Sequence, residues 1–136
     1  MVKVIMGLKG SGKTKKLIDL IKEADQNEHG NVVCIERKPQ LTYDIPYSVR
    51  LVAASDYNLV SYDVLKGFIS GLHAGNYDIT HIFIDNLFKI VDRTYDADAE
   101  DFVEWCDAFS KKENVNFTMT LSADVALASE KIKSLF

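Results

Sequence analysis

The stretch Gly7-Leu8-Lys9-Gly10-Ser11-Gly12-Lys13-Thr14 fits the pattern G-x-x-x-x-G-K-[ST] at every fixed position. An apolar run directly before it, over residues 2–6, has the length of one buried strand. Apolar residues recur at helical spacing after it, over residues 17–24. A strand, a glycine-rich turn and a helix in this order are the context that the pattern requires, so the sequence predicts a phosphate-binding loop.

The residue types of the loop fit the chemistry of phosphate binding. Glycines let backbone N–H groups approach phosphate oxygens, and the helix that begins near Lys13 adds unpaired N–H groups and the positive end of its dipole. We expect Lys13 to contact the β- and γ-phosphates as a point charge, and the hydroxyl of Thr14 to bind Mg²⁺. We therefore assign all eight loop residues to nucleotide binding, Lys13 also to catalysis and Thr14 also to the metal.

Composition and charge are those of an ordinary globular domain, with 47% hydrophobic and 26% charged residues. Residues 1–50 carry 9 Lys and Arg against 6 Asp and Glu, a net charge of +3. Residues 51–136 carry 7 against 14, a net charge of −7. The basic excess near the loop suits a polyphosphate but is too small for a nucleic-acid surface. The acidic residues between 92 and 107 are typical of a solvated helix face, and they leave a protein partner or a homo-oligomer open.

Two further features indicate the compartment. No apolar run approaches the roughly 18 residues of a membrane span, and the first strand leaves no room for a signal peptide. Cys34 and Cys106 lie far apart within apolar patterns, as buried thiols do in a reducing compartment. We therefore expect a cytoplasmic protein.

Four more apolar runs predict strands at residues 32–35, 49–53, 82–85 and 115–121. Helical patterns separate most of them, and residues 86–96 suggest a loop or a short helical turn. Residues 37–48 carry few core signals and are predicted to be partly extended or a hairpin, with Ser55 or Asp56 as a cap of the next helix. The alternation predicts a single α/β domain over residues 1–136, with a parallel sheet covered on both faces.

Asp85 ends the fourth predicted strand and supplies a second anchor. A carboxylate at this position can order Mg²⁺ through water, opposite Thr14. Ligands of open parallel sheets bind at the carboxyl ends of strands, so Gly7 and Asp85 are expected to meet there. The alternative is an aspartate that only begins a turn.

With these two anchors the chain resembles the P-loop NTPases over nearly its whole length, with a Walker A motif at residues 7–14 and a Walker B aspartate at Asp85. A strand and a helix separate the two anchor strands, so it is most similar to the RecA-like (ASCE) division. The resemblance implies a three-layer fold, a five-stranded mainly parallel sheet in the order 5-1-4-3-2, and ATP and Mg²⁺ as ligands. It also implies that Ser122, at the end of the fifth strand, senses the γ-phosphate, although serine is equally a helix cap.

The sequence departs from the resemblance at Asn86, where relatives often carry a glutamate that activates water. Some RecA-like proteins place the catalytic glutamate at the end of the second strand, which Glu36 matches. We assign Glu36 as a candidate catalytic base. The alternative is a strand-end glutamate in solvent.

Two narrower resemblances leave the function open. The chain is similar to small stand-alone bacterial P-loop proteins, some of which carry a twitching-motility ATPase label. It is less similar to thymidine-kinase-type nucleoside kinases, which have a glutamate at the Asn86 position and a usually zinc-containing lid whose cysteines this sequence lacks. The favoured hypothesis is Mg²⁺-dependent ATP binding with slow or partner-stimulated hydrolysis. The alternatives are a nucleoside or small-molecule kinase, in which residues 37–48 close over an acceptor, and a nucleotide-gated protein-binding module without turnover.

Overall fold

The computed structural model describes residues 1–136 and consists of a parallel sheet with helices on both faces. The strands are β1 (Val2–Gly7), β2 (Asn31–Glu36), β3 (Arg50–Ala53), β4 (Ile79–Ile84) and β5 (Asn116–Ser122). The helices are α1 (Lys13–Asn27), α2 (Tyr62–Gly75), α3 (Leu87–Val91), α4 (Ala97–Glu113) and α5 (Glu130–Lys133), with 3₁₀ turns at Ala54–Tyr57 and Val125–Leu127. None of the helices combines the length and apolar character that crossing a membrane requires.

The sheet separates two hydrophobic cores, because successive side chains of each strand point to opposite faces. On one face α1 packs against the sheet, and Leu17 and Ile21 lie in the same buried cluster as Phe83. On the other face α2 and α4 cover a larger cluster, which contains Ile82 and Phe117. Three layers result, as the sequence predicts for an α/β fold.

The strand order is β1-β5-β4-β2-β3, and every pairing is parallel. The predicted five-stranded parallel α/β fold is therefore confirmed. The order written as 5-1-4-3-2 needs one correction: β1 and β5 exchange places, as do β2 and β3, around a central β4. The predicted order places β1 directly beside β4, whereas in the structure β5 lies between them. One strand therefore separates the phosphate-loop strand from the Asp85 strand, in agreement with a RecA-like arrangement.

The observed order has a physical reason in the burial of each strand. A strand with neighbours on both sides and helices on both faces carries a continuous apolar run. β5 is buried from Phe117 to Leu121, and β2 is buried over its last five residues. β1 instead leaves Lys3 and Met6 half-exposed, and β3 has only four residues and an exposed Arg50, so both suit the edges.

The connections differ from the sequence prediction in two places. Residues 37–48 form turns and bends with no strand, held to the core beside α1 by the buried Leu41. The cap of α2 is Ser61, whose Oγ accepts a hydrogen bond from Val64 N at 3.2 Å. Ser55 and Asp56 lie in the 3₁₀ turn that follows β3, because this turn is inserted before the helix begins. Two other predictions are confirmed: α3 is a short helix within residues 86–96, and both cysteines are buried free thiols.

Candidate functional site

The predicted phosphate-binding loop connects β1 to α1 and favours glycine at three of its positions. Gly10 and Gly12 have φ angles of 85° and 83°, in the left-handed region that favours glycine. Gly7 has an ordinary φ, but a Cβ there would lie 2.6 Å from Ser11 Oγ. The backbone path of the loop therefore favours glycine at these positions independently of any ligand.

Lys13 lies across this loop. Its Nζ donates to the carbonyl oxygen of Leu8 at 3.0 Å and is 3.4 Å from Ser11 Oγ. Both partners belong to the loop, so the ammonium group can exchange them for phosphate oxygens without leaving its position.

Asp85 directly follows β4 and is oriented by a threonine of β5. Thr120 Oγ1 donates to Asp85 Oδ1 at 3.2 Å and accepts a hydrogen bond from Asn86 N at 2.6 Å. Burial raises the pKa of the Asp85 carboxyl, while the Thr120 hydrogen bond and the charges of Lys89 and Lys13 act in the opposite direction. The carboxylate is thus held in place and partly desolvated.

A cavity of about 400 Å³ brings most of the predicted site residues together at the carboxyl edge of the sheet. We call it the loop cleft, and it is lined by Lys9, Gly10, Gly12, Lys13, Thr14, Lys15, Asp85, Asn86, Thr120 and Ser122. Ser122 reaches it because the register of β1 and β5 pairs Ser122 with Gly7. Gly7, Leu8 and Ser11 do not line the cleft.

The donor atoms of the loop cleft fit a hard cation. Thr14 offers a hydroxyl and Asp85 a carboxylate, and Mg²⁺ prefers such oxygen ligands together with waters and substrate phosphates. The structure has no group of three or more His, Cys, Asp or Glu side chains that could hold a metal ion by themselves. A magnesium ion here would therefore take its other ligands from phosphate and water.

Glu36 lies next to the loop cleft, in a second cavity of about 300 Å³ that we call the distal cavity. Its lining consists of Thr14, Glu36, Arg37, Lys38, Gln40, Asp85, Asn86 and Lys89. Glu36 is only 2% exposed, and its two carboxylate oxygens accept hydrogen bonds from Gln40 N at 2.9 Å and Leu41 N at 3.2 Å. Burial raises its pKa, and the two backbone hydrogen bonds lower it. The alternative of a glutamate in solvent is therefore wrong, because this carboxylate closes the turn after β2.

Two features of the site were not predicted from the sequence. Thr120 positions Asp85, and its only sequence signal is a polar residue within the apolar run of β5. Asn86 has a φ of 56° and a ψ of 68°, in the left-handed region that asparagine tolerates better than glutamate does. The backbone at this turn gives a structural reason for the absence of a glutamate.

Comparison with known proteins supports the fold and leaves the activity open. No family model matches the sequence, and no curated protein matches it. Among solved structures, the flagellar accessory protein FlaH from Methanocaldococcus jannaschii is similar to 98% of this chain, with a TM-score of 0.58 and 12% sequence identity. This likeness supports the fold, a five-stranded parallel α/β sheet whose strand order is consistent with a RecA-like arrangement. The match covers 65% of the FlaH chain, so this chain spans less than two thirds of that protein's length.

Proposed function

We propose that the protein binds ATP together with Mg²⁺ in the loop cleft. The observation that carries this proposal is that Thr14, in the first turn of α1, and Asp85, at the end of β4, line the same cavity as Lys13, Gly10 and Gly12. A glycine-rich turn before an ordinary helix would not require a half-buried carboxylate in the same cavity as the first threonine of that helix.

The residues of the cleft have separate roles in this proposal. Loop N–H groups and Lys13 bind the β- and γ-phosphates, and Ser122 senses the γ-phosphate. Thr14 and Asp85 hold the magnesium ion, which neutralises developing charge on the phosphates when it is bound. Thr120 keeps the Asp85 carboxylate in position through its hydroxyl.

Hydrolysis in this site is proposed to be slow or stimulated by a partner. The amide of Asn86 can orient water but cannot take its proton at neutral pH. Glu36 is the candidate base, since it lines the distal cavity with Asp85 and burial raises the pKa of its carboxyl above the ordinary value. An arginine supplied by a partner could accelerate such a site by about 10³–10⁵-fold.

A phosphotransferase is the second candidate function. The distal cavity opens from the position expected for the γ-phosphate, because Thr14, Asp85 and Asn86 line both cavities. It offers space for an acceptor other than water.

The loop assignment is tested by calorimetry of ATP binding to the full chain. Lys13→Ala should lower the affinity for Mg²⁺-ATP at least tenfold, because it removes a charge-assisted contact worth about 1.5–3 kcal/mol. Lys22→Ala is the matched control, since Lys22 is exposed on α1 and does not line the loop cleft. Unchanged affinity in Lys13→Ala would contradict the proposal.

A further inference from the structure

The distal cavity is polar throughout and is lined by more cations than carboxylates. No hydrophobic residue lines it, and three cations do: Arg37, Lys38 and Lys89. None of the three forms an ion pair within 4.0 Å. The lining also has two carboxylates, Glu36, which accepts hydrogen bonds from the following turn, and Asp85, which accepts one from Thr120. Three cations against two carboxylates give the cavity a formal net charge of +1.

Arg37 and Lys89 line both the distal cavity and a neighbouring third cavity. This side cavity, of about 330 Å³, is partly apolar, with Leu59, Val60 and Ile90. Arg37 directly follows β2, and its carbonyl oxygen accepts a hydrogen bond from Ser55 N at 3.0 Å, while Lys89 lies on α3. Arg37 and Lys89 therefore lie between the polar distal cavity and the partly apolar side cavity, on backbone segments with defined structure.

We propose that the distal cavity binds the anionic group, a phosphate or a carboxylate, of a small second substrate. Arg37 and Lys89 hold the anion, and the side cavity accepts the less polar body of the molecule. This inference rests on the proposed ATP site, because it places the anion beside the expected position of the γ-phosphate.

An anionic acceptor resolves the problem that Asn86 poses. The anionic oxygen attacks the γ-phosphorus, and the bond from that phosphorus to the β–γ bridging oxygen breaks. The bridging oxygen leaves with the electron pair as part of the nucleoside diphosphate. No proton moves, so the step needs no general base, whereas water or a hydroxyl would have to lose a proton.

The cations also offset the repulsion between two anions. A negatively charged acceptor approaches a negatively charged phosphoryl group only where fixed positive groups surround both. Lys13 is in place on the nucleotide side, and Arg37, Lys38 and Lys89 are in place on the acceptor side. Guanidinium is suited to such anions because it can form two parallel hydrogen bonds with one phosphate or carboxylate.

The test is calorimetry on the full chain saturated with Mg²⁺ and a non-hydrolysable ATP analogue. The probes are inorganic phosphate, acetate and 5′-AMP, which separate a phosphate from a carboxylate site and show whether a larger body adds affinity. We expect saturable binding of at least one probe. Arg37→Gln and Lys89→Gln should each weaken it about tenfold or more, whereas Lys22→Gln should leave it unchanged.

The affinity for the ATP analogue is measured in the same variants. It should stay within about twofold of wild type, because Arg37 and Lys89 do not line the loop cleft. An equal loss of analogue and probe affinity would assign the two cations to the nucleotide and overturn the inference. Analogue binding with no probe binding, or probe binding that survives both substitutions, would also overturn it. Failure of wild type to bind the analogue would instead remove the proposed function, and this inference with it.

Discussion

At the residue scale, Asp85 combines a functional position with a cost in stability. Burial raises its pKa, which means that the folded state disfavours the ionised form relative to the unfolded chain. Asp85→Asn keeps the shape and an acceptor for Thr120 but removes the charge. We expect a higher melting temperature than wild type without ligand, and a loss of Mg²⁺-dependent ATP binding that is much smaller in chelator.

Thermal denaturation without ligand and calorimetry with and without Mg²⁺ measure the two effects. Asp44→Asn is the control, because Asp44 is exposed and lies outside both cavities. Equal losses of affinity in Mg²⁺ and in chelator would show that Asp85 does not act through the metal.

Glu36 can act as a general base, or it can only stabilise the turn after β2 by accepting backbone hydrogen bonds. One substitution separates the two roles. Glu36→Gln cannot take a proton, so turnover should fall by about 10²–10⁴-fold if Glu36 activates water, with ATP affinity unchanged. The substitution also leaves one carboxylate acceptor fewer for the N–H groups of Gln40 and Leu41, which should cost about 1 kcal/mol of unfolding free energy. Turnover assays measure the catalytic effect, and denaturant unfolding measures the change in stability independently. A loss of stability with unchanged turnover would leave only the structural role.

At the element scale, His81 connects three elements at the end of the sheet away from the loop cleft. Its Nδ1 lies 2.7 Å from Glu28 Oε2, one residue beyond α1, and its Nε2 lies 2.8 Å from Thr118 Oγ1 on β5. The ring also stacks on Phe83, with centroids 4.0 Å apart. Burial lowers the pKa of His81, the hydrogen bond and charge of Glu28 oppose this, and the N-terminal ammonium adds a smaller lowering.

This lowered pKa predicts a pH dependence of stability. The unfolded state binds a proton near the ordinary histidine pKa of about 6.5, whereas the folded state binds it at a lower pH. Stability from the neutral ring is therefore fully present above pH ~6.5 and is lost as the pH falls through the folded pKa. We expect wild type to lose more unfolding free energy between pH 7 and 5 than His81→Gln does. Equal slopes would show that another group carries the titration.

At the scale of the whole molecule, two hydrophobic cores share a single sheet. Phe83 is buried on the α1 face and Phe117 on the face covered by α2 and α4. Phe83→Ala and Phe117→Ala should each cost about 3–5 kcal/mol of unfolding free energy. Because β1, β2 and β4 contribute buried side chains to both cores, each variant should still unfold in a single transition by circular dichroism and tryptophan fluorescence. Two separate transitions would mean that one face can unfold alone.

Most elements of the fold follow from local patterns in the sequence. The helical spacing of Leu17, Ile21 and Ala24 produces the buried face of α1, and short apolar runs produce the five strands. The meeting of Thr14 and Asp85 was also predictable, because parallel strands end at the same edge of the sheet. The start of α2 could not be predicted in this way, because no local pattern distinguishes the observed cap, Ser61, from the predicted cap, Ser55.

Local sequence patterns suffice to predict the α/β class, the glycine-rich loop between β1 and α1, and the edge of the sheet that carries the candidate site. These properties depend on residues within one turn, strand or helix. The tertiary structure alone decided that β5 lies between β1 and β4, and therefore that Thr120 holds Asp85. It also decided that Glu36 binds the turn after it and that Arg37 and Lys89 face one cavity. Such relations join residues distant in the chain, and packing and hydrogen bonding select them only when the whole sheet is formed.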